Sequence, residues 1–137
     1  RSTLFPYTTL FRSIFTKGLA VHGVLPMPVR HGEGKLVARD AATLQRLQDE
    51  NLIALQYTHP ETGEATQEHP WNPNGSPLAI AGLTDPTGHI LGLMPHPEAF
   101  HHATNHPGWT RGEVAVPGTA LFANAVRYLR ENPVNHS

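Results

Sequence analysis

His96-Pro97-Glu98 is the part of this chain whose residue types and spacing could carry chemistry. Prolines flank His96 on both sides, and a residue that precedes proline is pushed out of the helical region, so Met94 and His96 are expected to be extended. In an extended segment the side chains at i and i+2 leave the same face, which would set the His96 imidazole beside the Glu98 carboxylate. Such a pair suits a general base and its orienting group. The carboxylate would hold the second ring nitrogen, fix the tautomer and stabilise the imidazolium formed on proton uptake. The nucleophile that the pair would serve is missing, for the chain has no cysteine. Disulfides and zinc-thiolate sites are excluded on the same ground. By residue type alone, a strand that runs into a loop with two solvated side chains accounts for His96 and Glu98 at least as well.

The elements that must position this pair can be read outward from it. Ile90 to Met94 is a short apolar run expected to be a buried strand that stops at Pro95. Leu78 to Thr84, the turn Asp85-Pro86-Thr87-Gly88 and His89 to Met94 form the clearest β-hairpin of the chain. Upstream, Asp40 suits the N-cap of a helix that runs to about Glu50, with Leu44 and Leu47 as its apolar stripe and Asn51 to end it. Ile53 to Tyr57 reads as a strand, His59 to Glu64 as its turn and Ala65 to His69 as a return strand. Trp71 to Pro77 is a loop, because Asn-Pro, Asn-Gly and Ser-Pro are turn-forming pairs.

Nearer the start, Pro26 and Pro28 place Val24 to Val29 at a sheet edge or at the start of a strand, since neither can donate to a ladder. In His31-Gly32-Glu33-Gly34-Lys35 two glycines flank Glu33, which suits a plain turn or a place where a ligand approaches the backbone closely. Downstream, Pro117 fits the first turn of a helix with Leu121, Ala125, Val126 and Leu129 on one side, ending near Asn132-Pro133.

Composition narrows the function classes. With 137 residues the chain is one domain or part of one, and 10 basic against 11 acidic residues imply no surface for nucleic acid. No apolar run is long enough to span a bilayer and no secretory pattern is visible, so no membrane association and a cytoplasmic location are expected. Residues 1–13 are set apart: Thr3-Leu4-Phe5-Pro6-Tyr7-Thr8-Thr9-Leu10-Phe11-Arg12-Ser13 resembles a translated sequencing adapter and is left out of the fold argument. A short native strand from Leu4 to Phe11 is the alternative. The native part is then residues 14–137, cut at its N-terminal side.

Five segments, His31-Gly32-Glu33-Gly34, Ala54-Leu55-Gln56-Tyr57, Asn72-Pro73-Asn74-Gly75-Ser76, Ile80-Ala81-Gly82 and Gly92-Leu93-Met94-Pro95-His96-Pro97-Glu98, together resemble the glutaminase part of phosphoribosylformylglycinamidine synthase in order and spacing. The likeness spans roughly Leu25 to Leu129. His-Pro-Glu alone is common to many class I glutamine amidotransferases; the combination is more specific. The resemblance implies an α/β fold, the C-terminal half of a flavodoxin-like three-layer amidotransferase domain, with a mixed sheet and an antiparallel hairpin. It implies that His96 and Glu98 are catalytic, activating a cysteine that attacks glutamine to form a γ-glutamyl thioester and release ammonia. It also implies that His31, Gly32, Glu33 and Gly34 lie beside the glutamine pocket. Glutamine and a synthase subunit or domain are the implied partners. No cofactor is implied for this part, whereas ATP and Mg2+ belong to the synthase part.

This chain departs from the family in three respects. It has no cysteine, so alone it is expected to be inactive. Ala99 stands where members often have arginine, and residues 100–116 are longer and richer in histidine than expected. His101, His102 and His106 near His96 raise a metal-binding module as one rival, although His102 and His106 have no acidic residue at a matching interval. A degenerate amidotransferase fold that docks without chemistry is the other.

Overall fold

The computed structural model describes residues 2–6 as backbone, and residues 13–20, 23–30, 32, 34–106, 108–112 and 118–133. Five strands make one sheet: β1 (Ser2–Pro6), β2 (Leu25–Met27), β3 (Ile53–Thr58), β4 (Ile80–Thr84) and β5 (Leu91–Leu93), in the order β2-β1-β3-β4-β5. The two α-helices are α1 (Ala41–Asp49), between β2 and β3, and α2 (Ala120–Glu131), after β5. The resemblance implies a mixed sheet; every pairing between these described strands is antiparallel. Since β2 and β3 both run antiparallel to β1, they point the same way, and α1 lies on the crossover between them.

β3 is the centre of the fold. All six of its residues are buried, and its apolar Ile53, Ala54 and Leu55 explain why it takes that place. Ala54, Leu55 and Tyr57 join Leu25 and Met27 of β2, Ala79, Ala81 and Leu121 of α2 in one apolar cluster. Full burial of a side chain such as Leu55 contributes about 1.5–3 kcal/mol. Burial also pushes the Tyr57 phenol up to about 12, because the ionised form loses its water.

The segment left out of the sequence-based fold supplies β1, paired to β2 on one side and to β3 on the other. A ladder asks only for backbone N–H and C=O groups, so this pairing carries no information about where its residues come from. β2 is the sheet edge expected from Pro26 and Pro28.

α1 starts at Asp40, whose carboxylate accepts the Thr43 N–H (2.7 Å) and hydroxyl (2.7 Å); these bonds, the hydroxyl first, hold its pKa below the ordinary value. Asn51 closes the helix with φ 53°. Its Leu44 and Leu47 are only half-buried.

Three expectations change. The return strand Ala65 to His69 reduces to a single bridge between Thr58 and Ala65 and one bond from the Thr66 N–H to the Tyr57 carbonyl, because the cluster of turn residues that follows leaves no length for a ladder. Ile90 to Met94 is not a buried strand: β5 is three residues long at the sheet edge, Leu91 and Leu93 are half-buried and Ile90 is 68% exposed. α2 turns Leu121, Asn124 and Ala125 inward, not Val126 and Leu129, which are 46% and 51% exposed. Asn124 explains the rotation, for its amide donates to the Phe15 carbonyl (3.0 Å) and draws that face of the helix onto the 13–19 turn.

The hairpin between β4 and β5 is as expected, and Asp85 organises it. The Asp85 carboxylate accepts the Thr87 hydroxyl and the N–H groups of Thr87 (3.0 Å) and Ile90 (2.9 Å). The Thr87 hydroxyl first, and then these amides, lower its pKa to about 2. Gly88 takes the left-handed conformation that the turn requires (φ 77°).

Candidate active site

The segment from β5 to α2 is held by backbone contacts with distant parts of the chain. After Leu93 the Met94 N–H donates to the Ala81 carbonyl (2.9 Å), which carries the ladder one residue past β5. The His96 N–H then donates to the Pro28 carbonyl (3.0 Å), just beyond β2. Pro97–Ala99 forms a 3-10 turn, closed by bonds from the Ala99 N–H to the His96 carbonyl (3.1 Å) and from the Phe100 N–H to the Pro97 carbonyl (3.0 Å). The Gly118 N–H reaches the Phe100 carbonyl (2.6 Å), so the approach to α2 is pressed onto this turn.

The turn corrects the expected geometry. His96 has φ −110° and ψ 84°, outside the helical region, as a residue before proline must be, yet short of extended. Glu98 follows within a helical turn rather than a strand, so spacing i,i+2 does not set the two side chains side by side. What the turn does achieve is to bring both to one cavity of about 290 Å³, with Leu93, Phe15, Leu121 and Phe122 among its walls. Half-buried His96 and exposed Glu98 thus line the same cavity as these apolar side chains.

Of the expected glutamine-binding segment, His31 and Glu33 lie outside the described residues. Gly32 is exposed, and a Cβ there would meet nothing within 4 Å. Gly34 is half-buried. Pro117 and residues 113–116 also lie outside the described residues.

The histidines after the turn have local partners. His102 caps a short 3-10 turn, its Nδ1 accepting the Thr104 N–H (3.3 Å). The His106 Nδ1 accepts the Gly108 N–H (3.0 Å) and its ring lies 5.9 Å from that of Phe100. His101 Nδ1 stands 3.3 Å from the Glu98 carbonyl. Among the described residues no group of three or more His, Asp or Glu is placed to hold a metal ion.

Two features of the site were missed in the sequence. Gly118 has no room for a side chain: a Cβ would stand 2.1 Å from the Pro97 carbonyl oxygen. The Pro-Gly-Thr run before α2 was a signal for a close approach, although it did not say what approaches. The second is the Asn72–Ser76 loop, which the motif marked but to which no role was given.

Residues 5–129 match the family described as CobB/CobQ-like glutamine amidotransferase domain. The chain belongs to that family. It is 39% identical over 112 residues to the phosphoribosylformylglycinamidine synthase subunit PurQ of Methanothrix thermoacetophila, covering 79% of this chain and 41% of the relative. The PurQ subunit of Methanococcus maripaludis is 35% identical over 130 residues, covering 86% and 47%. The chain therefore spans about half the length of these curated relatives. Among solved structures it is similar to that described as PurLQS from Thermotoga maritima, with a TM-score of 0.62 and 22% identity, covering 93% of this chain and 46% of the other. At that identity the likeness speaks for the fold, which is that of the class I amidotransferases.

Proposed function

We propose that this chain is part of the glutaminase of a phosphoribosylformylglycinamidine synthase, which releases ammonia from glutamine for the ATP-dependent conversion of formylglycinamide ribonucleotide to formylglycinamidine ribonucleotide. The observation that carries this reading is that His96 and Glu98 open onto one cavity in a chain of the amidotransferase family whose relatives are PurQ subunits. In this reading His96 is the base that takes the proton from a thiol, then gives it to the leaving ammonia, and later activates water against the thioester. Glu98 acts on the imidazolium by its charge. Glu98 is exposed, and contacts of this kind often tighten only on binding. The segment His31, Gly32, Glu33 and Gly34 holds the amino and carboxylate ends of the substrate.

The thiol itself is not in this chain, so it comes from other residues of the glutaminase. The partner in this reading is a synthase subunit or domain, which also holds the ATP and Mg2+. No described helix is long and apolar enough to cross a membrane, and a cytoplasmic enzyme fits that. Nitrogen release from labelled L-glutamine tests the reading. The chain alone should release no ammonia above a His96→Ala control, and the chain joined to the cysteine-bearing half of a PurQ relative should release it. Silence from a well-folded joined protein would instead favour a docking module without chemistry, the reading that the absence of cysteine also allows.

A further inference from the structure

α2 carries a wider apolar arc than the rest of the chain covers. Successive residues of a helix stand about 100° apart around its axis, so Leu121, Ala125, Leu129, Phe122 and Val126 follow one another within about 140°. The arc is covered on one side only: Leu121 is 1% and Ala125 9% exposed, whereas Phe122, Val126 and Leu129 are 47%, 46% and 51% exposed. Ala123, Arg127 and Arg130 are exposed on the opposite side. A helix of a globular protein turns its apolar stripe toward a neighbour and its charges toward water, and α2 does so with only part of its stripe.

Phe122 joins the uncovered part to the candidate site. It lines the cavity of about 290 Å³ together with His96 and Glu98, and among the described residues of that lining Phe122 and Glu98 are the exposed ones. From Phe122 the stripe runs on along the helix to Leu129, about 10 Å away at about 1.5 Å per residue. In the glutaminase reading His96 takes a proton from a thiol, which this chain, without cysteine, does not supply. A base has to come within about 2.6–3.2 Å of the atom whose proton it takes. The thiol must therefore enter the cavity, and the body that carries it then lies against the exposed part of the lining, Phe122 included. The chain spans about half the length of its curated relatives, so a glutaminase of that length holds a body large enough to cover both cavity and stripe.

We propose that Phe122, Val126 and Leu129 form the surface on which the cysteine-bearing half of the glutaminase docks, which sets its thiol beside His96. The inference rests on the glutaminase reading above and says where the rest of that site is seated. Val126 and Leu129 are not among the residues that line the cavity, so a change at either reads the docking rather than the chemistry.

The protein formed by joining this chain to the cysteine-bearing half of a PurQ relative tests the proposal, with the chain alone for comparison. A neutral gadolinium chelate in solution should broaden the methyl NMR signals of Val126 and Leu129 in the chain alone and leave them sharp in the joined protein. Val126→Glu presses a carboxylate into that apolar contact; it should lower ammonia release by the joined protein at least about tenfold and its melting temperature by about 4 °C or more, while the chain alone melts as before. Ala123→Glu, the same change of charge on the opposite side, should alter neither. The chelate needs no substitution, so the test holds even if Val126→Glu does not fold. If the joined protein releases ammonia while both methyl signals stay broadened and Val126→Glu is as active as the unsubstituted protein, the docking surface is wrong and the glutaminase reading stands. If both signals sharpen on joining and a folded joined protein releases no ammonia, the surface stands and the glutaminase reading falls. If the signals are already sharp in the chain alone and Val126→Glu turns a dimer into a monomer by light scattering, the face belongs to a second copy and the proposal is overturned.

Discussion

β3 and the His96 turn are held in opposite ways. β3 is buried along its whole length and sits among apolar side chains, so its place follows from its own composition. The turn from Pro95 to Phe100 follows an edge strand with half-exposed residues and is fixed by backbone groups that come from Pro28 and Gly118. A core strand is stabilised by burial, which is non-directional, whereas a reacting side chain needs a position, and directional hydrogen bonds between backbones supply that. The site can then stay open to substrate without losing its geometry.

The contrast is broken most sharply at Gly118. Adding one methyl group at Gly118→Ala forces the approach to α2 off Pro97, since the Cβ would stand 2.1 Å from a carbonyl oxygen with no flexible atom to yield. Such overpacking costs about 1–3 kcal/mol or more, and here the loss should appear first in the turn. The His96 and Phe100 amide resonances should shift while those of β3 stay in place. Uniform shifts over the whole sheet would show that the turn is no separate unit.

Substitution in α2 separates burial from exposure on one helix. Leu121→Ala, in the apolar cluster at 1% exposure, should cost about 2–5 kcal/mol in denaturant unfolding. Leu129→Ala, at 51% exposure, should change stability by no more than about 0.5 kcal/mol. Equal losses would mean that the helix packs by the face expected from the sequence.

The smallest effect is a pH dependence at the hairpin that precedes the site. The Asp85 carboxyl is lowered to about 2 by the Thr87 hydroxyl and the Ile90 and Thr87 amides, so the folded state favours its charged form. Its contribution is full above the ordinary value of 3.8 and is lost as pH falls from there through about 2. Asp85→Asn should accordingly flatten the fall of melting temperature over that window, and an unchanged profile would count against the cap.

How much of this was legible follows from the same contrast. Asp40, Asn51, Ile53 to Tyr57 and the Asp85 turn were readable because a cap, a buried strand and a tight turn are each specified by neighbouring residues. The inward face of α2 was legible only in part: Leu121 and Ala125 lie on it as expected, but Asn124 outranks Val126 and Leu129 through a bond to Phe15, 109 positions away. The pair His96 and Glu98 was legible as a motif, but its geometry was read as extended. A proline restricts the residue before it and is itself at home in the first turn of a helix, and here Pro97 does both. Local sequence held no sign that Pro28 and Gly118 would set the position of that turn.

The central claim is that His96 and Glu98 serve glutamine hydrolysis as base and charged orienter. Its most direct test is turnover by the synthase assembled from this chain, the cysteine-bearing half of a PurQ relative and the synthase subunit, with glutamine or ammonia as the nitrogen source. His96→Ala should lower glutamine-dependent turnover by about 10²- to 10⁴-fold. Glu98→Gln should lower it by less, because the amide lacks the charge that stabilises the imidazolium. Both variants should keep ammonia-dependent turnover. Undiminished glutamine-dependent turnover in Glu98→Gln, or loss of ammonia-dependent turnover in both, would contradict the assignment.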